Sequence, residues 1–169
     1  MIDARGSQRG VGLVEILIAV VLISIGFLAA ARMQVQSMRF SQSAYFESQA
    51  NFLAMDMIDR IRSNTDGVSG GAYDALSTAI AIADPDCAAK ACASDQRALQ
   101  DTFDWRAHFV PTVAGADPLL PATGEDPAFG TVTHLGDGRF QVSVNWGEIV
   151  DGVDETQSLS IFFVAETNR

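Results

Sequence analysis

Apolar residues fill one unbroken stretch near the start of the chain, and the pattern changes twice after it. Val11–Ala31 is 21 residues long and carries a single charge, Glu15. About 20 apolar residues are enough to cross the core of a bilayer. From Arg32 onward the apolar positions thin out. Met33, Met38, Ala44, Phe46, Ala50, Leu53, Ala54, Met57, Ile58 and Ile61 recur at spacings near three and four, with Arg, Gln and acidic residues between them. That is the pattern of an amphipathic helix with one apolar stripe. No Pro precedes Pro85 and no Gly falls between Gly26 and Gly67, and Ser63-Asn64-Thr65-Asp66-Gly67 provides a stop. The pattern predicts one helix from about residue 11 to 63, roughly 80 Å long. One domain cannot bury such a rod, so part of it must project.

The C-terminal third alternates with period two. Thr131–Leu135 leads into Gly136-Asp137-Gly138. Arg139–Trp146 then sets Phe140, Val142, Val144 and Trp146 against Gln141, Ser143 and Asn145, and Gln157–Ala165 places Leu159, Ile161, Phe163 and Ala165 on one face. Alternation punctuated by Gly-Asp turns predicts an antiparallel meander with one apolar face. A long helix packed on a C-terminal antiparallel sheet is an α+β arrangement. Between these regions, residues 66–85 are poorly patterned, with Ala79–Ala83 as a short turn of helix or a strand. Ser94 reads as the N-cap of a helix over Asp95–Phe109, whose Leu99, Phe103 and Ala107 share a face. Residues 111–129 are irregular and hold four of the five prolines.

Composition narrows the function. The 169 residues carry 11 Lys+Arg and 21 Asp+Glu. Removing residues 1–10, with Asp3, Arg5 and Arg9, leaves 9 basic and 20 acidic groups. Such a surface repels phosphate backbones, which argues against nucleic-acid binding. Length allows one ordinary domain beyond the apolar segment. No P-loop, nucleophile elbow or H-E-x-x-H is present, so nothing points to catalysis or a cofactor. His108 and His134 have no obvious partners and read as structural or exposed. Asp84 with Asp86, or Asp151 with Asp154 and Glu155, are candidate calcium ligands without EF-hand spacing; solvated turns account for them better. Phe140, Trp146, Phe162 and Phe163 read as core. Cys87 and Cys92 are five apart, which is neither a redox C-x-x-C nor part of a zinc set. Beyond a membrane segment an intrachain disulfide is the natural reading, worth about 2 kcal/mol; two free thiols are the alternative.

Glu15 is the residue that most needs an explanation. A carboxylate inside a membrane segment costs about 2.5–3.5 kcal/mol even on insertion scales. Snorkelling to the headgroups would relieve it, since Glu15 is only five positions into the run. A positive partner would relieve it better. Cleavage between Gly10 and Val11 would create one, the α-amino group of Val11, four residues before Glu15 and on the same side of a helix. The same amine could reach Glu15 of an adjacent chain, where a matched ion pair would set register.

Arg9-Gly10-Val11-Gly12-Leu13-Val14-Glu15-Ile16-Leu17-Ile18-Ala19-Val20 resembles the processing and assembly signal of type IV pilins and type II secretion pseudopilins. The resemblance implies cleavage after Gly10 by a prepilin peptidase, N-methylation of Val11, and an assembly role for Glu15. The family usually has Phe where this chain has Val11. It implies a pilin-like fold in three parts: residues 1–10 as a cleaved leader, 11–31 as the membrane and filament-core half of the helix, and 32–169 as a periplasmic or extracellular head. Ile16–Arg62 is similar to the PilV group of minor pilins, as is Cys87-x-x-x-x-Cys92 followed by Asp104-Trp105-Arg106. That likeness implies a part in initiating pilus assembly, supporting twitching motility and adhesion, with other minor pilins, the major pilin and the inner-membrane assembly machinery as partners. It places the protein in the inner membrane before assembly and on the pilus afterwards.

Two alternatives stay open. One is a minor pseudopilin of a type II secretion system. The other is a signal-anchored periplasmic enzyme or binding protein, in which Ala29-Ala30-Ala31 would be a signal-peptidase site.

Overall fold

The computed structural model describes residues 12–111, 116–122, 124, 126–150 and 152–165. The predicted long helix is present as α1, Leu13–Ser63, with no break. The chain divides into two compact units, residues 1–42 and 43–169. In the first unit every described residue is exposed.

The second unit is an α+β head. Its sheet has the order β1 (Ala75–Ser77), β2 (Phe129–Gly136), β3 (Arg139–Val150) and β4 (Val153–Val164), all antiparallel. The strand regions read from period two are correct, and β3 and β4 run longer than predicted. Asp137 and Gly138 link β2 to β3 with φ of 52° and 69°, the left-handed values that a two-residue Asp-Gly hairpin requires.

The inner face of the sheet builds the core in rows. Phe140 pairs with His134 and Phe163, Val142 with Val132 and Ile161, and Val144 with Gly130 and Leu159. Against it pack Ala50, Leu53, Ala54, Met57, Ile58 and Ile61 of α1, all essentially inaccessible. The apolar stripe is therefore buried from Ala50 onward; Met33 and Met38, at its predicted start, are 74% and 73% exposed. At the start of this unit the Ser43 hydroxyl donates to Glu148, which also accepts from Trp146 Nε1 at 2.9 Å.

Helix α3, Ser94–Phe109, covers the remaining apolar surface. Its predicted face needs correction. Ala98, Thr102, Trp105 and Phe109 are the buried residues, while Leu99 is 44% exposed. Trp105 decides the helix rotation. Its indole is buried, donates to the Leu53 carbonyl at 3.0 Å and meets Phe109 edge-on. It lies on Gly130 so closely that a Cβ there would come within 2.2 Å of the ring. Ser94 is not the N-cap: Ala93 holds that position, and its N–H is taken by Gln96 Oε1. The Ser94 carbonyl instead accepts from Asn64.

Three further expectations change. Ala79–Ala83 forms neither helix nor strand, and the edge strand is β1 just before it. After α1 stops at Ser63, Asn64 caps a second short helix, α2 (Thr65–Ser69), by accepting from Gly67 N–H. Phe162 is not core; it is 65% exposed on the outer face of the sheet.

Candidate membrane and assembly helix

Gly10 and Val11 lie outside the described residues. Glu15 is in the first turn of α1, where its backbone N–H bonds Gly12 C=O at 2.9 Å. A carboxylate in a first turn faces the positive end of the helix dipole, which favours it there. Sixteen uncharged residues follow, up to Arg32. The Val and Ile side chains are over half exposed, as are Leu17, Leu22, Phe27 and Leu28. The one hydroxyl in this stretch, Ser24, is spent on the Val20 carbonyl at 2.7 Å, which removes its demand for water. Exposed apolar surface on this scale marks a membrane or partner contact. The helix is long and apolar enough to span a bilayer.

The cysteine pair is a disulfide, with Sγ–Sγ 2.00 Å and Cα–Cα 5.5 Å. It closes a loop ahead of α3, in the head, so Glu15 and the disulfide belong to different units. The loop is tied down at its N-terminal end. Asp84 Oδ1 accepts from Asp86 N–H, supporting Asp86 at φ 58°. Cys87 N–H donates to Gln100 Oε1, and Gln100 Nε2 to Asp104. Asp84 is thus occupied by a turn, and Asp151 lies outside the described residues. No three His, Cys, Asp or Glu side chains converge on a metal position among the described residues.

The polar cluster beneath this loop was not visible in the sequence. Arg60 is 2.9 Å from Asp56, 3.6 Å from Asp101 and 3.5 Å from Asp104. Burial alone would lower its pKa, but the bond and charge of Asp56, with Asp101 and Asp104, hold it raised. Tyr73 donates to Asp101 at 2.5 Å and accepts from Asn64 at 2.9 Å. Burial first, then the Asp101 carboxylate, pushes the phenol well above its ordinary 10.0. These side chains satisfy one another, as buried polar groups must, and they fasten α1, α2 and α3 together. His134 also has partners, against expectation: Asp74 at 3.2 Å and the stacked ring of Phe140.

Comparison with known proteins finds matches over the N-terminal part of the chain. A family profile for the prokaryotic N-terminal methylation motif matches residues 5–31, and one described as type IV pilin Tt1218 matches residues 32–103. These two matches, over residues 5–31 and 32–103, support a type IV pilin family. No curated protein and no solved structure matches it. The methylation motif implies processing by a prepilin peptidase and a pilus-assembly context, and a type IV pilin is a structural protein, not an enzyme. In a pilin the apolar half of α1 is the membrane anchor before assembly.

Proposed function

We propose that this chain is a PilV-like minor pilin that takes part in initiating pilus assembly. Prepilin peptidase cuts between Gly10 and Val11, and Val11 is N-methylated. The mature chain stands in the inner membrane with its head in the periplasm. Other minor pilins, the major pilin and the assembly machinery then draw it into a priming or tip complex that supports twitching motility and adhesion. Residues 1–10 are the leader in this reading, 11–31 the filament-core half of α1, and 32–169 the head.

The observation that carries the reading is the state of α1. Its first turn holds the lone Glu15, and the apolar side chains after it are exposed. Lipid, and later the helices of neighbouring subunits, would cover them. A Glu15 carboxylate facing the Val11 amine of an adjacent subunit would be matched only in one register. Glu15→Ala is therefore expected to leave processing intact and to reduce incorporation into pili by at least about tenfold, the scale of losing one well-placed ion pair. Normal piliation in that variant would refute the role. Deletion of the gene should abolish twitching; loss of protein secretion instead would identify a type II secretion pseudopilin.

A further inference from the structure

The β3–β4 hairpin carries two exposed apolar clusters of opposite charge, one at each end. At the strand end where Arg139 pairs with Val164, a cleft of about 280 Å³ opens on the outer face of the sheet. Leu135, Phe162 and Val164 line it, 44%, 65% and 63% exposed. Arg139 lies in this lining, exposed and with no ion-pair partner among the described residues. A free cation is unusual here, because residues 43–169 hold 7 basic against 19 acidic groups.

At the other end, eleven residues along β3 and so about 36 Å away, the hairpin tip is the chemical complement. Ile149 and Val153 are 69% and 62% exposed. Ile149 pairs with Asp154, and Glu148 with Glu155; Asp154 and Glu155 are exposed at the tip. The tip is thus an apolar knob flanked by carboxylates, and the cleft is an apolar recess with a guanidinium. Within one head the strands themselves hold the two apart, so they cannot meet.

We infer that the β3–β4 tip of one chain docks in the Leu135–Arg139–Phe162–Val164 cleft of a second copy, Asp154 or Glu155 pairing with Arg139. The occupant follows from complementarity. Arg139 calls for a carboxylate beside an apolar side chain, and this chain displays that combination at its own tip. The contact joins two different surfaces, so it is heterologous: each docked copy leaves one free cleft and one free tip, and copies add head to tail. The inference stands on the head alone, independent of how residues 1–15 are processed.

Two differently tagged full-length chains produced in one cell provide the test, one with Phe162→Cys and the other with Ile149→Cys. Both positions are exposed, and a short bismaleimide reacts with the added thiols while sparing the Cys87–Cys92 disulfide. The mixed pair is expected to cross-link, and each variant alone is not. Arg139→Glu added to the Phe162→Cys chain should reduce the product to background. Asp154→Arg with Glu155→Arg in its partner should restore it. Two results would overturn the contact: no mixed product although both thiols label with a small maleimide, or equal cross-linking of Phe162→Cys to itself.

Discussion

One helix runs through two regions that treat apolar side chains in opposite ways. Over Leu13–Gln42 large apolar residues are mostly exposed; over Ser43–Ser63 the stripe Ala50, Leu53, Ala54, Met57, Ile58 and Ile61 is closed against the sheet. The backbone is the same in both. What differs is pattern. From Ile16 to Ala31 the first region is apolar on all sides, so no single face of a domain could cover that stretch. The second gathers most of its apolar residues in one stripe, which one sheet face does cover, and leaves Phe52 and Met55 exposed. The first region is left exposed by the chain itself and the second is buried within it, the division that the proposed pilin role requires.

The sharpest way to probe this contrast is one truncation in each region. Trp105→Ala removes the largest fully buried side chain among the described residues and leaves the Leu53 carbonyl without its indole partner, so the head should lose about 3–5 kcal/mol. Ile23→Ala should change head stability by less than about 0.5 kcal/mol, because Ile23 belongs to the other unit and is 58% exposed. Calorimetry of the full chain in detergent reads both, and equal losses would break the comparison. A smaller effect is expected at the loop. Cys87→Ser with Cys92→Ser should cost the head about 2 kcal/mol on the chain-entropy model and leave membrane extraction of the chain unchanged; denaturant unfolding with and without the bond measures it.

The finest test is alkaline pH. Tyr73 has a folded-state pKa raised above the unfolded value of 10.0. The folded state therefore holds the phenolic proton more tightly. That contribution is complete below about pH 10 and is lost as pH rises toward the folded value. Melting temperature should fall above pH 10 more steeply in the wild type than in Tyr73→Phe, with a constant gap below pH 9. Parallel curves throughout would show that the Tyr73–Asp101 bond is not coupled to folding.

Long, strongly periodic elements were readable from residues alone: α1, the β2–β4 meander and the Asp137-Gly138 turn. They depend on local pattern and turn chemistry. Features set by tertiary partners were not. Leu99, Phe103 and Ala107 look like the better face of α3 by hydrophobicity, but Trp105 over Gly130 sets the rotation, and that fit depends on a strand 25 residues later. The strand β1 has three residues, too few to show a period. Asn64, Tyr73, Asp101 and Arg60 are ordinary polar residues until the fold brings them together. In the candidate site, Glu15 was conspicuous because its chemistry clashes with its neighbours. The disulfide was legible from the place of the two cysteines beyond a membrane segment, and the structure contains it.

Intact-mass and N-terminal fragment analysis of the protein purified from its native membrane tests the central claim most directly. A chain beginning at N-methylated Val11 is the predicted result. A chain beginning at Met1, or at Arg32 after cleavage at Ala29-Ala30-Ala31, would contradict it.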